Sequence, residues 1–278
     1  MTESVSRDEG GGIRAHWFES SVEFADAAAR CERRIDDKDW TGEPWEEALE
    51  GARRGRTALV AEAERLLEQV QVSVETLRSE WVRSRAGAFP VVPEALAGYP
   101  EPMRRKVWVP SDRAPLRVVV DLVSSAGISH GHLARRGVAA LALSIALSQE
   151  RALELFVAVP LVSGGRRVVT AVRIPTTPLD LASACCALTS GGFVRALGYS
   201  YGAAVMGGGS PRAVNWAFGY YPATDAQRAR YVGQLRAALE LSEGDLVLPP
   251  TFLTDPAAED PVGFVRRSLA EHGQGSGE

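Results

Sequence analysis

The sequence predicts a three-layer α/β fold for residues 115–260, and three observations carry the prediction. Four of the five residues from Leu116 to Val120 are apolar, which indicates a strand buried on both faces, as in a parallel sheet. A Ser/Gly/His loop and a helix over about 131–149, apolar on most sides, follow this strand. A hairpin, further helices and a last strand come next, in the alternation typical of an α/β domain.

The N-terminal part of the chain is predicted to be helical. Apolar positions recur at helical spacing from Phe24 onward, which indicates an amphipathic helix. A second helix follows Pro44 and ends near Gly55. A third is predicted over 57–83, where apolar residues up to Trp81 form one stripe. We interpret these stripes as core or helix–helix contacts.

A connector rich in proline follows, from Gly87 to Pro115. Its prolines are too closely spaced for regular structure, so an extended path is expected, with one short strand at KVWVP. A boundary between a helical region and the α/β domain is predicted here.

The hairpin of the α/β domain is predicted from two apolar runs, 152–162 and 166–175, joined by Gly164 and Gly165. A helix over about 179–189 and a helical turn in GGFVRALGYSYGAA come next. GGGSPR is expected to be a flexible loop, because it lacks the Gly-Lys-Ser/Thr ending of a phosphate loop. An amphipathic helix over 225–240 and a short strand complete the domain.

The predicted organisation has five parts. They are a disordered tail (1–15), a helical N-terminal region (16–86), a Pro-rich connector (87–114), the α/β domain (115–260) and a C-terminal helix turn and tail (261–278). The tails are predicted from their Gly, Ser and Glu content and their few apolar groups.

Composition excludes several classes of protein. The net charge of −4 argues against nucleic-acid binding through bulk charge. Three cysteines do not form a secreted disulfide framework, and the adjacent pair Cys185 and Cys186 is expected in the core. No apolar run reaches the roughly 18 residues of a membrane span, and the N-terminus lacks a secretory signal. A cytoplasmic protein is expected.

The strongest candidate site is the end of the first predicted strand. Asp121 stands there, followed by Ser124, Ser125, His130 and His132. Ligands of open parallel sheets bind outside the carboxyl ends of the strands, and carboxylate and hydroxyl oxygens suit Mg²⁺. The alternative is that Asp121 only accepts hydrogen bonds from the following loop. The two histidines lack a third zinc ligand and are interpreted as loop residues.

The segment Asp121-Leu-Val-Ser-Ser, between a buried strand and a long apolar helix, resembles a von Willebrand factor A-type domain. The resemblance implies a doubly wound sheet and a metal-ion-dependent adhesion site of the form Asp-x-Ser-x-Ser, with a Thr and an Asp from later loops. Val123 stands where the first Ser belongs. The implied degenerate Mg²⁺ site consists of Asp121, Ser125, Thr176 (or Thr177) and Asp180.

A wider resemblance covers about 17–205. The Trp-x-Gly segment, GYPEPM, the Asp121 strand, the RRG-containing helix and LDLASACCALTSGGFVRALGY together are similar to an uncharacterised family of phage, prophage and plasmid proteins. The resemblance implies a mobile-element origin and a location in the cytoplasm or on a virion.

Three functions are compatible with these features. The first is a non-enzymatic protein-binding or assembly module, which can self-associate. The second is a nucleic-acid-associated accessory protein, whose phosphate contacts would come from Arg104, Arg105, Lys106, Arg135 and Arg136. The third is a metal-dependent enzyme centred on Asp121, which needs a second carboxylate nearby, such as Asp180 or Asp225.

Overall fold

A computed structural model describes residues 6–9, 12–70, 79–85, 89–108, 115–124, 127–150, 152–176, 179–207, 209–211, 214–216, 224–250 and 255–274. The strands are β1 (Ser6–Glu9), β2 (Ile13–Phe18), β3 (Ser79–Ser84), β4 (Phe89–Pro90), β5 (Met103–Trp108), β6 (Leu116–Asp121), β7 (Leu153–Ser163), β8 (Arg166–Ile174), β9 (Asn215–Trp216) and β10 (Leu246–Leu248). The helices are α1 (Ser21–Ala29), α2 (Lys38–Thr41), α3 (Trp45–Arg54), α4 (Val60–Val70), α5 (Val92–Leu96), α6 (His130–Glu150), α7 (Leu181–Thr189), α8 (Tyr199–Val205), α9 (Asp225–Ala238), α10 (Pro256–Glu259) and α11 (Pro261–Gln274). A π-helical segment, Phe193–Gly198, leads directly into α8.

The main sheet has the strand order β1-β2-β8-β7-β6-β10, and β9 pairs with β7 beyond the end of β6. The pairs β2/β8, β6/β7 and β6/β10 are parallel, whereas β7/β8 is an antiparallel hairpin. Gly164 and Gly165 both have positive φ, 56° and 79°, as a two-residue type I′ turn requires. The predicted α/β class and the predicted hairpin are confirmed.

Helices cover both faces of this sheet. Gly198 lies so close to β7 that a Cβ atom there would be 3.1 Å from the Val159 side chain, which places α8 and the π-helical segment on one face. Asp121 pairs with Ala158, the residue before Val159. Because neighbouring residues of a strand point to opposite faces, Tyr231 of α9, which bonds to Asp121, lies on the other face.

The N-terminal strand belongs to the main sheet. β2 pairs in parallel with β8, and the burial of Phe18 and Phe24 joins α1 to the same core. The sequence predicts a disordered tail over 1–15, whereas β1 and the first half of β2 lie there. The expectation fails because the strands are recruited by partners far along the chain, which local composition does not reveal.

The segment 57–83 is not one helix. In the described residues α4 ends at Val70, and β3 pairs with β5 in a separate three-stranded sheet of order β3-β5-β4. Trp81 fits the helical stripe but lies in β3, opposite Lys106, because strand pairing overrides the local helical period. The strand expected at KVWVP lies slightly earlier, at β5. The C-terminal helix α11 is longer than the single turn expected after 261.

Among the described residues, no single helix is long and apolar enough to cross a membrane. The pair formed by α7 and residues 193–205 passes by length and composition together, but it is bent by 73°.

Helices α6 and α7 approach each other at Gly137. A Cβ atom there would stand 2.2 Å from the backbone oxygen of Leu188, so Gly137→Ala must push the two backbones apart. We expect a loss of at least about 2 kcal/mol in the free energy of unfolding, measured by urea denaturation. Gly233→Ala is the matched control: it lies inside α9 with no atom within 4 Å, so the better helix propensity of alanine should give no loss. Equal losses in both variants would contradict this packing.

Candidate functional site

Asp121 is the last residue of β6 and is completely buried. The backbone N–H of Val123 donates to Oδ1 at 3.0 Å, and the hydroxyl of Tyr231 donates to Oδ2. Both carboxylate oxygens therefore accept hydrogen bonds from the protein. The bond from Val123 stabilises the turn of the chain after β6, and the bond from Tyr231 links β6 to α9.

Burial raises the pKa of the Asp121 carboxyl to about 7, because the charged form loses its hydration. The hydrogen bonds from Tyr231 and Val123 and the charge of Arg136 act in the opposite direction and favour the charged form. Burial is the larger effect. The carboxyl consequently titrates near neutral pH, far above an exposed aspartate.

A buried arginine closes the loop that follows Asp121. Arg195, in the π-helical segment, donates to the Ser124 hydroxyl at 3.1 Å and to the Ile128 carbonyl at 2.9 Å. A third bond, of 2.9 Å, reaches the Trp40 carbonyl, and the guanidinium also lies over the Trp40 ring. Burial raises the pKa of the neighbouring Tyr199 hydroxyl, an effect that Arg195 opposes and Asp121 reinforces. The end of β6 is thus a packed polar cluster.

The structure does not bring the implied metal ligands together. Ser125 and Thr177 lie outside the described residues. Thr176 donates to the carbonyl of Leu153 at the start of β7, whereas Asp121 pairs with Ala158. Leu153 and Ala158 are five residues apart on β7, roughly 16 Å along the strand.

Asp180 has a local role instead. It caps α7, accepting from the backbone N–H groups of Ala182 and Ser183 and from the Ser183 hydroxyl. Asp225, the other carboxylate considered, is fully exposed at the start of α9 and lies near Arg228. Within the described ranges, no group of three or more His, Cys, Asp or Glu side chains could hold a metal ion.

The adjacent cysteines and the two histidines of the predicted loop lie in or against packed helices. Cys185 and Cys186 are free and buried, as the expectation of core residues requires. Burial raises the pKa of the Cys186 thiol to about 12, so a nucleophilic thiolate is disfavoured. His130 begins α6 and its Nε2 lies 3.2 Å from the carbonyl oxygen of Asp39. His132 follows it in the first turn of the same helix.

One of the predicted basic residues is not at the surface. Arg136 is buried, where it pairs with Asp255 at 3.0 Å and donates to the Pro249 carbonyl. Its neighbour Arg135 is exposed on α6. Arg104 is exposed on β5, the strand that also contains Arg105 and Lys106. Arg136 is therefore unavailable for a phosphate contact. Arg104, Arg105 and Lys106 lie on β5 of the three-stranded sheet, whereas Arg135 and Arg136 lie on α6.

Sequence reasoning missed an exposed apolar surface around α5. Four large apolar side chains there are more than half exposed, and Leu96 reaches 85%. They are Phe89, Val92, Leu96 and Tyr99, which we call the α5 surface. The density of prolines between Gly87 and Pro115 obscured it, although apolar residues alternate with those prolines throughout the segment.

Helix α5 turns its charged residue inward and its apolar residues outward, which is the reverse of an ordinary surface helix. Glu94 is the shielded residue, with 16% of its side chain exposed, and it pairs with Arg83 of β3 at 2.8 Å. The guanidinium of Arg83 also lies over the Tyr99 ring. Val92 and Leu96, four residues apart on one helix face, point away from this ion pair and are exposed.

The titration of Asp121 gives a test by pH. The folded state keeps the carboxyl protonated up to about pH 7, whereas an unfolded aspartate ionises near pH 4. The folded chain therefore binds the extra proton between these values. Its free energy of unfolding should fall as the pH rises through this window, by up to about 1.4 kcal/mol per pH unit.

Asp121→Asn should remove this slope, which urea denaturation from pH 4.5 to 8 would measure. Tyr231→Phe is the companion variant. It deletes a bond that favours the charged carboxylate, so its slope should persist to higher pH. Parallel pH profiles for wild type and Asp121→Asn would show that Asp121 does not titrate as its burial requires.

Comparisons with known proteins give one match. Residues 10–275 match the model of a family described as a domain of unknown function, DUF7192. No curated protein and no solved structure matches the chain. Since the match covers nearly the whole sequence, the chain belongs to the DUF7192 family.

Proposed function

We propose that the chain is a non-enzymatic protein-binding or assembly module that engages its partner through the α5 surface. The observation that carries the proposal is the reversed orientation of α5, with Glu94 inward and Val92 and Leu96 outward. Contiguous exposed apolar surface is unusual on a monomer and marks interaction sites.

The energetics of α5 support an external partner. Fully burying a Val, Leu or Phe side chain contributes about 1.5–3 kcal/mol, and the four side chains of the α5 surface, each more than half exposed, leave part of that contribution unused. Rotating α5 to bury Leu96 would break the ion pair between Glu94 and Arg83 and remove Arg83 from the Tyr99 ring. A partner can cover the apolar side chains while these contacts persist.

The charge of the surrounding segment indicates the chemistry of the partner. Residues 79–108 contain five basic and three acidic side chains, in a chain whose net charge is −4. Charge complementarity steers association and selects partners. We therefore propose a partner whose apolar contact is bordered by acidic residues.

The packing at Asp121 favours binding over chemistry at that position. A metal-dependent enzyme needs carboxylate oxygens free to coordinate, whereas both oxygens of Asp121 already accept hydrogen bonds. The burial of Arg136 likewise weakens the nucleic-acid alternative. The resemblance to adhesion-type domains and to phage, prophage and plasmid proteins adds the proposal that the partner is a component of a mobile element or its particle.

The test changes the two outward residues of α5. Val92→Ser with Leu96→Ser should weaken partner binding by roughly 100-fold, because two apolar contacts of about 1.5 kcal/mol each are lost. Both residues are exposed, so the melting temperature should stay unchanged. Wild type and variant would be compared as baits in quantitative pull-downs from the native host, and by light scattering for self-association.

Val22→Ser is the matched control, since Val22 is an exposed apolar residue on α1. A partner, or a dimer, that is lost only from the α5 variant would support the proposal. Equal capture by all three baits would refute it. So would a monomeric wild type that captures nothing specific.

A further inference from the structure

We propose that the chain has an anion site for a small phosphate-bearing ligand at the turn end of the β7–β8 hairpin. A depression of about 410 Å³ lies there. Its walls include Arg14, Arg166 and Arg167, the glycines Gly12 and Gly165, and apolar residues of β8 and the end of α8. None of these residues belongs to the α5 surface.

The sheet register brings the three arginines together. β2 and β8 are parallel neighbours, with Ile13 opposite Arg167 and Arg14 opposite Val168. The two-glycine turn places Arg166 at the first position of β8. Residues far apart in the chain thus line one depression. Arg14 and Arg166 share the face of Val168, whereas Arg167 alternates to the other face of β8.

Arg166 is held in position by the end of α8. Its Nη1 donates to the carbonyl oxygen of Met206 at 2.8 Å. Gly207 has a φ of 115°, and a Cβ atom there would stand 2.8 Å from the same Nη1, so a larger residue would displace the arginine. A guanidinium has five N–H donors, and one bond to a carbonyl leaves the others available for a ligand.

The charges of these arginines are not paired with acidic residues of the lining, although Asp8 of β1 lies opposite Arg14 in the sheet. The lining of the depression contains no Asp or Glu, and none of the three arginines forms an ion pair within the described residues. Exposed arginines elsewhere do, as Arg53 does with Asp26 and Arg54 with Glu50. The like charges of Arg14 and Arg166 on one face of the sheet repel each other, and a bound anion would relieve that repulsion.

The shape and chemistry of the depression favour phosphate groups. Guanidinium groups bind phosphate oxygens in bidentate pairs, and a volume of several hundred Å³ suits a small molecule. A Cβ atom at Gly12 or Gly165 would meet nothing within 4 Å, so the rim is open to a ligand with several charges. The apolar floor, which includes Val168 and Val205, would accept an uncharged part of the same molecule.

Titration calorimetry of the full chain with inorganic tripolyphosphate at low salt tests the site. Arg166→Gln with Arg167→Gln should weaken binding by about tenfold or more, since the charge-assisted contact of Arg166 and a second positive charge nearby are lost. Arg53→Gln with Arg54→Gln removes the same charge on α3 and should change the affinity less than about twofold. Arg14→Gln is a further variant, because Arg14 is exposed and its side chain forms no hydrogen bond to the described residues that the change would break.

Each result decides the proposal. Binding that is weakened in the Arg166/Arg167 and Arg14 variants but kept in the α3 control supports it. The absence of heat with wild type overturns it, as does equal weakening in all variants. A parallel titration with a single-stranded oligonucleotide separates the sources of phosphate: binding of the oligonucleotide without binding of tripolyphosphate would also overturn the small-ligand site.

Discussion

The antiparallel pairing of β7 with β8 is the constraint on which the rest of the fold depends. Both strands are buried along most of their length, so helices must cover the two faces of the sheet. β7 provides the edge for β6, and β8 provides the edge for β2. The helix over 193–205 can lie directly on β7 because Gly198 and Gly202 remove the side chains that would separate them.

Features with a local cause could be predicted from the sequence. The β6 strand and the hairpin consist of continuous apolar runs, and the glycine pair at 164–165 specifies a tight turn, so each element carries its own signal. The position of β2 could not be predicted, because its partner β8 lies about 150 residues later and a strand of six residues has no distinctive pattern. The stripe over 57–83 was misleading for the opposite reason: Trp81 fits a helical period that pairing with β5 overrides.

The candidate site likewise combines one residue with a local sequence signal and partners that come from distant segments. Asp121 is recognisable as a carboxylate at the end of a buried strand. Its partner Tyr231, and Arg195, which bonds to Ser124 in the following loop, come from segments that sequence order does not relate to it. The resemblance to adhesion-type domains implied Thr176 and Asp180 as further ligands, but Thr176 lies at the far end of the sheet and Asp180 caps a helix. The α5 surface becomes visible only when Glu94 is seen to face Arg83.

The strand order has a consequence for how the chain is made. Residues 116–174 contain β6, β7 and β8 in succession, so the centre of the sheet can assemble as soon as this stretch has left the ribosome. β2 is synthesised before β8 and cannot pair with it until β8 has emerged. β10 pairs with β6 across more than 120 residues of the chain. Such distant pairings slow folding and leave apolar strand edges open in the meantime. During synthesis, the nascent N-terminal strand is therefore the segment most in need of a chaperone.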